Sequence, residues 1–186
     1  FDTGPGMSLI DEYVFKVWRD NCDYNGKYSS NGKINDPLLD YLIDKSAFIF
    51  KIPPKSTSRE NFGLSFLEQV IDSNDMLDPA DILRTLVKFT SISIKLNVDN
   101  FIKNKFEIGN LLISGGGANH PLLMDDIKKD LDIPSLNIID YGIESKFKES
   151  FLMAVLGYAK IKSIKSNIPS VTGAKRNIVL GRLYYD

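Results

Sequence analysis

The chain has few of the residues that build metal centres, disulfide frameworks or membrane anchors. Of its 186 residues one is cysteine and one is histidine. Cys22 has no second cysteine to pair with, so an internal disulfide is excluded and a reducing compartment is expected. His120, with no acids or cysteines close by in sequence, makes a metal centre improbable and reads instead as a loop or capping residue. No apolar run approaches the ~20 residues a membrane helix needs. Neither sign of charge dominates: 23 basic residues stand against 24 acidic ones. Bulk attraction to nucleic acid or to an anionic membrane is therefore not expected. Internal repeats and low-complexity linkers are also missing, which leaves one domain, or part of a larger one, long enough for a real core. A start at Phe-Asp-Thr-Gly, without methionine or a signal-like segment, reads as a chain cut from something longer.

Hydrophobic spacing places the elements. Leu9, Ile10, Tyr13, Val14, Val17 and Trp18 recur at helical intervals and predict a helix to about Asp20, followed by a polar surface excursion over Asn21 to Asp36. Asp36-Pro37 opens a second helix, with Leu38, Leu39, Leu42 and Ile43 on its buried face. Asp78-Pro79 opens the longest, which runs to about Val98, with aspartate as cap and proline in the first turn. A strand is expected over Phe106 to Ser114, a helix over Leu122 to Leu131 and a short strand over Leu136 to Ile139. A helix carrying Phe147, Phe151, Leu152, Val155, Leu156 and Tyr158 ends near Ile164. Ile178 to Tyr185 is expected to close the sheet.

Four stretches do not reduce to periodicity. LLISGGGANHPLLM, Leu111 to Met124, runs from a strand through three glycines into a helix. The glycines allow a sharp bend and close ligand approach, and free N–H groups at the helix start would suit an anion; a ligand-free turn fits the glycines equally well. FDTGPG, Phe1 to Gly6, is a tight loop. Asp2 there is a candidate general base if a hydroxyl or water faces it, against the plainer reading of a loop that caps a helix. In IPPKSTSRENF, Ile52 to Phe62, prolines enforce extended backbone, and Ser56 or Thr57 with Glu60 comes close to a capping box. Lys55 and Arg59 would be the functional alternative in that stretch. NIPSVTGA, Asn167 to Ala174, reads as a loop.

Taken in order, FDTGPG, PKSTSRE, LLISGGGANHPLLM and NIPSVTGA resemble the second half of the anhydro-N-acetylmuramic acid kinase family. The resemblance implies an α/β fold: one lobe of an actin-like, ribonuclease H-like ATPase and sugar kinase, helix-rich around a small mixed sheet. Residues 1–186 would be the C-terminal nucleotide-binding lobe, with the N-terminal lobe outside this chain. The implied reaction uses ATP and Mg²⁺ to cleave the 1,6-anhydro bridge of the sugar with water and phosphorylate O6. It belongs to amino-sugar metabolism and peptidoglycan recycling, in the cytoplasm, with the anhydrosugar and ATP as partners and a homodimer of the full-length protein left open. The family's catalytic base maps onto Asp2, and Glu149 onto an acid that opens the penultimate helix. Thr3, Gly4 and Gly6 would shape the phosphate side of the cleft. Gly115, Gly116, Gly117 and Ala118 would line the adenosine side. Met7 stands where the family usually has asparagine, Ser58 where it has glycine, and Asn119-His120 where it has Arg-Asn. These departures keep two alternatives open: a non-catalytic actin-like module that binds nucleotide or a partner, and a kinase for levoglucosan or another sugar.

Overall fold

A computed structural model describes residues 1–72, 74 and 76–184. In chain order the helices are α1 (Ser8–Trp18), α2 (Asp36–Lys45), α3 (Ala47–Phe50), α4 (Arg59–Phe62), α5 (Leu64–Asp72) and α6 (Pro79–Phe101), then α7 (Pro121–Leu131), α8 (Lys148–Ile161) and α9 (Pro169–Thr172). Strand β1 (Leu111–Ile113) precedes α7, and β2 (Ser135–Asn137) follows it.

Helix α6 is the axis of the molecule. Asp78 caps it by accepting from Ala80 N–H at 2.7 Å, and Pro79 occupies the first turn, where a missing N–H costs nothing. Leu83, Leu86, Val87 and Phe89 of α6 are fully buried, and α1, α2, α3 and α7 pack around it. On the α7 side the contact is ionic. Arg84 donates to both oxygens of Asp126 at 2.6 and 2.9 Å, and Lys88 reaches Asp130 at 2.5 and 2.7 Å. Since 84 pairs with 126 and 88 with 130, the two helices run side by side in the same direction.

β1 and β2 are parallel, with Leu112 opposite Leu136, and α7 is their crossover. This is a βαβ unit, the connection parallel strands require. Among the described residues the sheet is thus a parallel pair, where the resemblance implied a small mixed sheet. The closing strand over Ile178 to Tyr185 does not form within 178–184; Tyr185 lies outside the described residues. Instead the tail is held against residues 166–167: Ser166 N–H donates to the carbonyl of Ile178 at 3.2 Å, Asn167 Oδ1 accepts from Ile178 N–H at 2.6 Å, and Asn177 donates to the carbonyl of Asn167 at 2.9 Å.

Two further expectations change. The polar excursion after α1 holds two 3₁₀ turns whose Asp23 and Ser29 are buried. Helix α8 forms, but Phe151, Leu152, Val155 and Tyr158 stay exposed, and among the residues of α8 only Ala159 is buried.

Candidate functional site

Asp2 sits where three of the four unusual stretches meet. Its backbone N–H donates to the carbonyl of Lys55 at 3.1 Å, which fastens the first loop to the segment after the prolines. One carboxylate oxygen, Oδ2, then accepts from the Ser56 hydroxyl at 2.9 Å and from Thr57 N–H at 2.8 Å. The other oxygen, Oδ1, has no hydrogen-bond partner among the described residues. Two donors on one oxygen fix the carboxylate's orientation and leave the second oxygen able to accept a proton.

A cavity of about 510 Å³ opens against this group, lined by Asp2, Thr3, Gly4, Gly6, Ser8, Thr57, Ser58 and Arg59 among others. On another side Asp2 shares a hollow of about 520 Å³ with Pro54, Lys55, Ser56, Val171 and Thr172, which brings NIPSVTGA next to FDTGPG and PKSTSRE. Gly6 has φ +58°, the left-handed region that glycine tolerates, and turns the chain into α1. The loop thus ends at a helix N-terminus, whose unpaired N–H groups and dipole favour negative charge.

The cations of PKSTSRE divide between two roles. Lys55 is buried, and its Nζ donates to the carbonyls of Phe48 and Ile49 at 3.1 and 2.9 Å, with the Phe1, Phe48 and Phe101 rings around it. Burial, with Lys51 nearby, pushes its ammonium below the usual lysine value. Its ammonium holds the end of α3, while the residue also lines the second hollow beside Asp2. Arg59 lines the Asp2 cavity, with Glu12 at 3.6 Å. The capping expected of Ser56 or Thr57 does not occur: the Ser56 hydroxyl is engaged with Asp2, and the Thr57 hydroxyl accepts from Asn61 Nδ2 at 2.9 Å. Ser58 caps α4 instead, at φ −144°, a backbone that needs no glycine.

The glycine turn lies elsewhere. Gly115 has φ +91°, and a Cβ built on Gly115 or Gly116 would meet nothing within 4 Å, so that backbone is open to an approaching group. None of Gly115, Gly116, Gly117 or Ala118 lines the Asp2 cavity. The two regions connect through Met7, since a Cβ on Gly117 would stand 3.3 Å from Met7 Sδ. Met7, Asp11, Asp23, Gly116, Asn119 and His120 line a third hollow of about 320 Å³. Glu149 is exposed in the first turn of α8 and 3.7 Å from Lys148, whose Nζ also donates to Ser114 at the start of the glycine turn. It is no part of the Asp2 cavity.

His120 caps α7 by accepting Leu123 N–H on Nδ1 at 3.2 Å, so its Nε2 carries the proton and donates to Asp23 Oδ2 at 3.0 Å. Asp23 also accepts from the Ser29 hydroxyl and from Tyr28 N–H. Burial would raise its carboxyl, but the bonds from His120, Ser29 and Tyr28 outweigh it and hold the group below the usual carboxylate range. Asp11 beside it goes the other way: burial raises it, His120 opposes, and the charge of Asp23 adds to the rise. Sequence reading missed this buried cluster, and it missed Ser56 and Thr57 as the partners of Asp2.

A family model for anhydro-N-acetylmuramic acid kinase matches residues 1–186. The chain belongs to that family. Similar anhydro-N-acetylmuramic acid kinases come from Clostridioides difficile strain 630, 36% identical over 98% of this chain and 48% of the relative, and Bacillus cereus strain AH187, 35% identical over 100% and 49%. Another, from Francisella tularensis subsp. novicida strain U112, is 34% identical over 100% and 48%. The chain spans about half the length of the curated relatives it matches. Among the described residues no helix is long and apolar enough to cross a membrane.

Proposed function

We propose that this chain is the C-terminal, nucleotide-binding lobe of a two-lobe, actin-like kinase that converts anhydro-N-acetylmuramic acid to its 6-phosphate with ATP. The observation that carries the reading is the Asp2 carboxylate, held on one oxygen by Ser56 and Thr57 at the wall of a cavity, in a chain of this family.

In the proposed step Asp2 takes a proton from water as the water oxygen attacks the anomeric carbon of the sugar. The bond from that carbon to O6 breaks, and O6 attacks the γ-phosphorus of ATP, so that ADP leaves. The backbone of Thr3, Gly4 and Gly6 and the side chain of Arg59 would face the transferring phosphoryl group, where fixed donors and positive charge stabilise the developing negative charge. Gly115, Gly116, Gly117 and Ala118 would take the adenosine side, and the open space over Gly115 and Gly116 fits close nucleotide approach. Mg²⁺ would neutralise phosphate charge. The cavity offers it one carboxylate, Asp2, which suits a metal carried in on the phosphates better than a dedicated protein cage. Glu149, exposed and outside the Asp2 cavity, would stand in the cleft away from the reacting atoms.

A cytoplasmic location belongs to the same proposal, because ATP is the phosphoryl donor. So does inactivity of these 186 residues alone, since phosphoryl transfer needs the γ-phosphate held from both sides of a cleft. The test is turnover of the full-length protein with ATP against anhydro-N-acetylmuramic acid and levoglucosan in parallel, beside the isolated chain. Phosphorylation of the first sugar by the full-length protein alone is the expected result. Preference for levoglucosan reassigns the substrate, and turnover by the isolated chain overturns the lobe assignment.

A further inference from the structure

Helix α6 presents three buried polar side chains to the first loop. Thr90, Ser93 and Asn97 are three and four residues apart, a spacing that puts them in a row on one helix face. All three are at most 2% exposed. Thr90 donates its hydroxyl to the carbonyl of Gly6 at 3.0 Å, besides Leu86 of its own helix at 3.2 Å. Gly4 is pressed against Ser93: a Cβ at position 4 would stand 2.4 Å from the serine Oγ and 2.7 Å from its Cβ. Asn97 Nδ2 lies 3.0 Å from the carbonyl of Thr3, 3.1 Å from that of Ile49 and 2.8 Å from that of Ser93. Its amide therefore joins the loop, the end of α3 and α6 at one point.

The cost of this arrangement is visible. Asn97 Oδ1 is itself buried without a hydrogen-bond partner. None of the three side chains lines the Asp2 cavity, so none is available to touch a ligand there. What they do hold is the backbone at Thr3 and Gly6, on either side of Gly4 and starting one residue beyond Asp2.

We propose that Asn97 and Thr90 are positioning residues for Asp2. They fix the height and register of the FDTGPG backbone along α6, and so set where the carboxylate stands relative to a bound water and sugar. The inference rests on the reading of Asp2 as the base. Misplacing a reacting group by about 1 Å can cost on the order of 10²-fold in rate. The adenosine-side contacts, assigned to Gly115, Gly116, Gly117 and Ala118, lie outside that loop and do not depend on its register.

The experiment uses the full-length protein with Asn97→Leu, Thr90→Val and Thr90→Ser, beside Asp2→Asn. Steady-state kinetics and hydrogen–deuterium exchange of the peptide spanning residues 1–8 are read together. Asn97→Leu and Thr90→Val should lower kcat about 10- to 100-fold with KM for ATP little changed. Both should also speed exchange in that peptide while α6 itself stays protected. Thr90→Ser, which keeps the hydroxyl, should restore both. Unchanged exchange at residues 1–8 overturns the proposal whatever the activity, as does loss of protection spread evenly over the protein. Wild-type kcat in Asn97→Leu and Thr90→Val, with turnover abolished in Asp2→Asn, overturns the positioning role alone. Full turnover in Asp2→Asn overturns the assigned base, and the exchange result still decides whether α6 holds the loop.

Discussion

The backbone N–H of Thr57 donates to Asp2 Oδ2 at 2.8 Å, across 55 positions of sequence. A backbone donor cannot be rotated away as a side chain can, so the carboxylate is oriented by the path of the chain after the two prolines. The Ser56 hydroxyl adds a second donor to the same oxygen.

Replacing Asp2 by asparagine keeps the shape and removes the base. In the full-length protein kcat should fall by about 10²- to 10⁴-fold, the usual contribution of a general base. Nucleotide affinity, followed by calorimetry, should change little. Retained turnover, or a matching loss of ATP binding, would contradict the role given to this residue.

Gly117 and Met7 should be energetically coupled. A Cβ at 117 would come 3.3 Å from Met7 Sδ and 3.2 Å from Leu123 Cδ2, so one of them must give way. Gly117→Ala should therefore destabilise by about 1 kcal/mol, at the low end of overpacking costs. Met7→Ala should absorb part of that loss, giving a non-zero interaction energy in a double-mutant cycle by denaturant unfolding. Strict additivity would show that the two loops are independent.

The Asp23 cluster sets a pH dependence. A carboxyl held below its ordinary value in the folded state stabilises the fold above about pH 4, the unfolded value, and loses that contribution as pH falls through the folded one. The melting temperature of the full-length protein should drop with acidification in this range. Asp23→Asn should start lower at pH 7 and show a shallower acid limb. Identical pH profiles would place the acid sensitivity in other groups.

Between α6 and α7, Arg84 and Asp126 form a buried bidentate pair, their side chains 13% and 5% exposed. Arg84→Met leaves a buried carboxylate without its main partner and should cost about 3–5 kcal/mol. The combined change Arg84→Met with Asp126→Leu should recover most of the loss, as apolar replacements of buried pairs commonly do. A double variant no more stable than the single one would show that the pair has some further role in holding α7.

How much of this could be read from sequence depended on the range of the interactions. Asp78-Pro79 and the apolar positions of α6 are a local signal, and the helix starts where they say, running to Phe101 instead of Val98. Asp2, the glycine turn and the family followed from short motifs. Ser56 was misread because helix capping is the local use of a serine hydroxyl, whereas its partner lies at the far end of the chain; Thr57 reaches Asp2 through its backbone N–H, which no side-chain pattern reveals. His120 reads as a loop or capping residue and does cap α7, but Asp23 and Ser29 fall in a stretch that looks solvated in sequence. Polar groups can be buried only when each satisfies another, and no spacing rule reveals that these three do. The tail over 178–184 has strand-like residues, but its contacts at Ile178 are to Ser166 and Asn167 and it joins neither β1 nor β2.

His120 is the chain's one histidine, and both of its ring nitrogens are committed, one to Leu123 N–H and one to Asp23. Its imidazole is therefore a single-site spectroscopic label supplied by nature. Nitrogen-15 and ring-proton resonances would arise from one position only, beside the glycine bend. A nucleotide settling on Gly116 would register there as a shift in one unambiguous signal, with no tag or substitution needed.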